Sequence, residues 1–381
     1  MGSQVNRIWA VFKILKRILS ANAGRRLPLF KLKLMERIDV LSKLCSLPGV
    51  PGYESAIRNY LKEQLTPLAD VLETDAMGNL IALHKGGDKK LMLSAHMDEI
   101  GFMVQHVDDE GFIRFVPLGG FDPKTLTAQR VIIHGVRELI GVMGSKPVHL
   151  MSPEEKNKAP QLRDYFIDTG LPAEQVKSLI RVGDPITRER ELIRMGPCIN
   201  AKSLDNRISV FVLLETFRKI CESASKLDVY AVFTVQEEVG LRGARTVAHR
   251  ICPDFAINVD TTIAFDLPGA QAHEVVTRLG QGAAIKIMDQ SVLCDYRMVR
   301  FLRDLASTQG IRWQSEILPA GGTDTAVIQL AGNGCIAGAV SIPTRHIHQV
   351  IEMVHEDDVR AAIDLLVLAS EQLTVPSWDH V

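Results

Sequence analysis

Several short apolar runs in this chain stop abruptly on an acid or a histidine, and that pattern limits its possible folds more than any other feature. KLMLSA (residues 90–95) runs into His96, VYAVFTV (229–235) into Gln236-Glu237-Glu238, and FAINV (255–259) into Asp260. A bounded apolar run of this length reads as a strand buried on both faces, as in the central strands of an α/β sheet. Open α/β sheets collect their ligands beyond the carboxyl ends of such strands. The pattern therefore predicts an α/β fold with a site assembled from strand ends. Two adjacent carboxylates, Glu237 and Glu238, at the mouth of a buried strand are costly unless a metal or protons neutralise them.

The rest of the chain fits around those strands. Helical spacing marks residues 38–45 and 54–65, separated by the turn LPGVPGYE, and residues 71–83 alternate around Met77-Gly78-Asn79 like a hairpin. The texture changes at 102–195. There FMVQHV, FIRFVPL, RVIIHG and LIGVMG are punctuated by glycine and proline, interrupted by a polar, partly helical stretch at 151–180. This reads as a β-rich domain, 102–195, inserted into a catalytic domain made of 35–101 and 196–381. Helices are predicted at 206–221, 296–308 and 356–373, and a further strand at 338–342.

Charge separates the chain into two parts. Residues 1–35 carry eight Lys/Arg and no acid, leaving 36 basic and 45 acidic side chains, a net of −9, in the remainder. An acidic body argues against nucleic acid as a partner. No apolar run reaches the 18 or so residues that span a bilayer, so stable membrane insertion is not expected. The basic extension, residues 1–34, reads as an upstream addition with the functional start near Met35. A surface-lying amphipathic helix or a transit sequence is the other reading. The six cysteines form no C-x-x-C pair, which fits a reducing compartment and a cytoplasmic location.

Five residues in distinct local motifs are candidate metal ligands: His96, Asp205, Glu238, Asp260 and His348. In LSAHMDEIGF, Asp98 lies two residues beyond His96. It can hydrogen-bond the far ring nitrogen of a ligating imidazole and raise its basicity. Asp205 in NAKSLDNRIS precedes a helix, where a plain N-cap and a carboxylate bridging two cations both fit. Glu237, beside Glu238, is free to act as a base. In SIPTRHIHQVIE, His346 and His348 share a face if the segment is extended. Two imidazoles and three carboxylates suit a pair of Zn²⁺ or Co²⁺ ions, and a spare glutamate beside them points to a hydrolase.

Taken in order, LSAHMDEIGFMV, AKSLDNR, VQEEVGLRGA, GGTDTA and SIPTRHIH resemble the M42 metallo-aminopeptidases, the glutamyl-aminopeptidase-like enzymes that include the TET peptidases. The resemblance spans about residues 36–373 and implies a mixed-sheet metallopeptidase domain carrying an inserted, β-rich, PDZ-like dimerisation domain. It implies that His96 and Asp260 hold one metal, that Glu238 and His348 hold the other, and that Asp205 bridges them. Glu237 would be the general base, Asp98 the partner of His96, and Gly321-Gly322-Thr323-Asp324 a loop lining the substrate pocket. A cis Asp205-Asn206 peptide is also implied. The expected function is release of N-terminal residues from peptide substrates by a homo-oligomer, dimer-based and up to a dodecamer. A related two-metal carboxypeptidase or deacylase is the alternative, and it would need a positive group in the pocket for the substrate carboxylate. A degenerate scaffold is disfavoured because every ligand and the base are present. Sugar cleavage is disfavoured because these acids look committed to metal.

Overall fold

The computed structural model describes residues 37–380, so the reading of residues 1–34 as a basic extension lies outside them. The described chain is a mixed α/β body with two sheets. The strands, in chain order, begin with β1 (Val71–Thr74), β2 (Leu80–His84) and β3 (Lys90–His96). Next come β4 (Gly101–Val107), β5 (Ile113–Leu118), β6 (Arg130–His134), β7 (Glu138–Ser145), β8 (Tyr165–Asp168) and β9 (Pro185–Arg188). The series continues with β10 (Ile193–Met195), β11 (Cys198–Ala201), β12 (Asp228–Thr234), β13 (Phe255–Ile263), β14 (Ala283–Met288), β15 (Trp313–Ile317), β16 (Ile336–Arg345) and β17 (Glu352–His355).

The large sheet runs β1-β2-β12-β3-β13-β16-β17-β11-β10, with β14 paired to β16 and β15 to β14. Its centre is parallel: β12 with β3, β3 with β13, and β13 with β16. These are the apolar runs that the sequence marks as doubly buried, and β3 and β12 are nearly solid cores of Leu, Met, Ala, Val and Phe. Antiparallel strands flank them on both sides. Because the four central strands are parallel, their carboxyl ends share one edge of the sheet.

The longer helices pack on this sheet or on one another. They are α1 (Ile38–Ser46), α2 (Ser55–Leu65), α3 (Leu204–Ile220), α4 (Arg242–Ile251), α5 (Tyr296–Gln309) and α6 (Glu356–Gln372). The central helix α3 is buried almost all round, and packs on β3, β13 and α6. Its Phe211 and Phe217 are fully buried, each contributing about 1.5–3 kcal/mol by area removed from water. Gly243 near the start of α4 is required by crowding: a Cβ there would sit 2.3 Å from Asn79 Oδ1 and 2.5 Å from the Val235 carbonyl.

The stretch that the sequence marks as β-rich closes into a barrel, β4-β5-β8-β7-β6-β9. Closure leaves no open edge. The barrel has its own apolar core, in which Phe102 stacks on Phe121 and meets Phe115 edge-on. The large sheet resumes at Ile193, where β10 pairs with β11. That is three residues before the boundary read from sequence. All six cysteines are free. No helix of the described residues is long and apolar enough to cross a membrane.

Candidate active site

The candidate residues gather at the carboxyl edge of the parallel strands, and sharp bends aim several of them. His96 is the last residue of β3. Beyond β12 the chain turns at Gln236, whose φ is +55°, and this swings Glu237 and Glu238 over the sheet end. Ser203 (φ +58°), two residues before Asp205, and His348 itself (φ +62°) are also left-handed. Non-glycine residues held there store about 1–3 kcal/mol each, which the surrounding packing must support. The Asp205-Asn206 peptide is cis, and both residues leave helical geometry at the head of α3. No side-chain cap is formed there, and the Asp205 oxygens face His96 and His348 instead. Asp260 lies within β13 rather than at its end. The strand continues to Ile263 paired only with β16, because β3 stops pairing at Asn258.

Two triads share Asp205. His96 Nε2 lies 3.4 Å from Asp205 Oδ1 and 3.7 Å from Asp260 Oδ1. His348 Nε2 lies 3.3 Å from Asp205 Oδ2 and 3.6 Å from Glu238 Oε2. The two carboxylate oxygens of Asp205 thus face two different imidazoles. Each triad offers three ligand atoms within 4.8 Å of one another, as does a third set of His96, Glu237 and Glu238. Glu237 Oε2 stands 3.9 Å from His96 Nε2.

Supporting groups orient these side chains. Asp98 accepts the backbone N–H of Glu237 on one oxygen and that of Glu238 on the other, both at 3.1 Å. His96 Nδ1 sits 3.4 Å from Asp98, an ion-pair distance short of a well-formed hydrogen bond. His348 Nδ1 is 2.9 Å from the Gly120 carbonyl, an acceptor only, so that nitrogen carries a proton and Nε2 is turned to the carboxylates. Sequence reading missed two supports. Asn258 accepts from Ser94 and donates to Asp260 at 3.3 Å. Glu352 accepts the Asp205 backbone N–H at 2.9 Å. Asn258 left a signal, a polar side chain inside an otherwise apolar run, whereas Glu352 opens the short strand Glu352–His355 and left none.

The electrostatics follow from crowding acids in a dry place. Burial pushes the Glu237 carboxyl well above its usual range. Glu238, Asp260 and Asp324 push it further, against the pull of His96. Burial and the neighbouring Asp205 lift Glu238 to about 7. Burial alone would depress the imidazoles, but Asp205 and Glu238 lift His348 to about 9. His96 is likewise raised, by Glu237, Asp205, Asp260 and Asp98. Asp205 runs the other way: burial would raise it, but the two histidines together hold it low. Glu238 Oε1 is buried with no partner at all. An orphaned carboxylate oxygen in an acid-rich set of N and O donors is what a divalent-cation site looks like, so the residues fit the implied metals.

The site opens into a cavity of about 430 Å³ that includes Leu241, Thr262, Lys286, Leu318 and Ile347 in its walls. Gly321, Gly322 and Thr323 line it as expected. Asp324 does not. It is fully buried and its carboxylate accepts from Thr234 Oγ1 at 2.6 Å, so it supports the floor rather than meeting a substrate. His346 also lies outside the ligand groups.

A mixed α/β body with a strand-end cluster of acids and imidazoles defines the class. The particular family follows from comparison: residues 78–365 match the model of the M42 glutamyl aminopeptidases, and the chain belongs to that family. It is 34% identical to the lysyl aminopeptidase of Pyrococcus furiosus over 343 residues, 88% of this chain and 97% of that protein. It superposes on aminopeptidase APDkam598 from Desulfurococcus kamchatkensis with a TM-score of 0.85 at 38% identity, covering 89% of this chain and 95% of that one. It also matches the TET1 peptidase of Pyrococcus horikoshii, described as assembling into a tetrahedron or a large octahedral shell. That match has a TM-score of 0.80 at 29% identity and covers 87% and 98% of the two chains.

Proposed function

We propose that this chain is a two-metal aminopeptidase that removes N-terminal residues from peptides. The observation that carries the reading is the division of Asp205, one oxygen toward His96 and the other toward His348. His96 and Asp260 would hold one ion, Glu238 and His348 the second, and Asp205 both. Two Zn²⁺ or Co²⁺ ions would supply Lewis-acid polarisation of the scissile carbonyl and a water acidic enough to ionise near neutral pH. Glu237 takes the proton of the attacking water and hands it to the departing amine. Its raised proton affinity suits a group that must both accept and return a proton. Asp98 keeps His96 oriented and, through the two backbone N–H groups, fixes where Glu237 and Glu238 begin. Gly321, Gly322 and Thr323 form the wall against which a peptide would lie.

The carboxypeptidase or deacylase alternative needs an unpaired cation in the cavity. Lys286 is the cation there, and Glu316 and Asp289 already neutralise it, so nothing favours that reading. The inserted β-rich, PDZ-like domain, residues 102–195, would serve for dimerisation. The catalytic domain would be 35–101 and 196–381. A homo-oligomer built from dimers, up to a dodecamer, is supported by the assembly described for the P. horikoshii relative. A cytoplasmic location accords with the free cysteines.

The test is release of chromophore from a panel of aminoacyl chromogenic substrates, before and after chelation and with Zn²⁺ or Co²⁺ restored. Cleavage that vanishes on chelation and returns with metal supports the reading. No cleavage of any aminoacyl substrate by protein carrying two ions per chain would remove it and bring the deacylase forward.

A further inference from the structure

The barrel core contains a cation with no partner. Arg188, the last residue of β9, is 2% exposed, and its Nε, Nη1 and Nη2 are all buried without a hydrogen-bond partner. A guanidinium does not shed its proton in a protein, so this is a permanent charge with five unused donors. Burying a charge without an anion is among the costliest arrangements a fold can contain. The Phe121 ring lies 5.7 Å from the guanidinium carbon and attracts it, but accepts none of its N–H groups in an ordinary hydrogen bond. Glu352 is the carboxylate whose charge Arg188 influences, yet the two form no ion pair; its Oε2 accepts from the Asp205 backbone and its Oε1 is buried without a partner.

Arg188 borders a small cavity of about 10 Å³, room for one water or one monatomic ion. Phe102, Phe121 and Met143 wall it on the barrel side, and His348 and Val350 on the side of the large sheet. A water could accept from the guanidinium but would leave its charge uncompensated. A halide supplies the missing charge and accepts several donors at once, and the small volume excludes larger hydrated anions.

We propose that this cavity is a binding site for one small monovalent anion of chloride or bromide size, held by Arg188 and seated against His348. The ion fastens the barrel to the segment that presents His348, and it would do so whether or not the chain is an aminopeptidase.

Two measurements on the full-length protein test it. In crystals soaked in sodium bromide, an anomalous peak is expected within contact distance of the Arg188 guanidinium. In solution at constant ionic strength, replacing gluconate with bromide should raise the thermal midpoint by about 2 °C per tenfold excess over the dissociation constant. Arg188→Met should abolish that dependence while leaving a folded protein. If that variant does not fold, the crystal result decides alone. A cavity filled by water bridging Arg188 to Glu352, with no bromide peak, overturns the proposal. So does an equal bromide response in Arg188→Met.

Discussion

Two buried charge clusters grow from the same two pieces of chain, residues 96–99 and 202–207, and they are built on opposite plans. Glu99, Lys202 and Arg207 balance one another's charge. Lys202 Nζ lies 2.7 Å from Glu99 Oε2, Arg207 Nη2 lies 3.5 Å from Oε1, and Ser203 adds a short hydrogen bond. One carboxylate sits between two cations. Burial would raise Glu99, but Lys202 and Arg207 outweigh it and hold the carboxyl below its ordinary value. A few residues away, His96, Asp205, Glu237, Glu238 and Asp260 gather with His348, four carboxylates around two imidazoles. Most of those acids are pushed upward. The first cluster balances its charge from the chain's own side chains and holds the structure together. The second is left rich in acid, and its deficit of positive charge is what a metal pair would fill.

That contrast can be broken in three ways, taken from the largest effect down. Glu237→Gln removes the proposed base while leaving the five candidate ligands in place. Its kcat should fall by about 10²–10⁴-fold, with two metal ions per chain still found by elemental analysis and little change in stability. A variant turning over at nearly the parental rate would take Glu237 out of the proton-transfer role. Glu99→Gln strands two buried cations and should cost about 3–5 kcal/mol in urea unfolding. If stability stayed within about 1 kcal/mol of the parent, the two clusters would not differ as described.

The third effect is smaller and concerns pH. In the metal-stripped protein Glu238 keeps its proton up to about 7, whereas the unfolded chain releases it near 4.5. The folded state therefore binds more protons across that window, and stability is lost as pH rises through it. Thermal midpoints of stripped protein should fall between pH 5 and 8, and restored Zn²⁺ should flatten the profile by taking the place of the protons. A flat profile without metal would mean that the chain itself already compensates these acids.

Much of this site is legible in the order of the residues. His96, Glu237 and Glu238 stand where apolar runs end, and a buried parallel strand can end on such groups only at a site. The break in texture after residue 101 likewise predicts a separate β element, because short glycine-punctuated runs pair locally. The loop pattern makes Asp324 a pocket residue, and the structure places it beneath the floor instead. A one-residue step along a turn exchanges cavity for core, and no local pattern records which side is which.

The sequence by itself determined which side chains carry charge, where the doubly buried strands lie, and that the body is acidic. These depend on composition and on spacing along a short stretch. Only the tertiary structure decided that Asp205 turns its two oxygens to histidines from distant segments, and that Asp98 holds two backbone amides some 140 residues away. Only the fold decided that Asn258 and Glu352 back Asp260 and Asp205, and that Arg188 is buried without a hydrogen-bond partner. Each of these is set by which strand lies beside which and how sharply the chain bends between them. Such long-range geometry leaves no periodic mark along the chain.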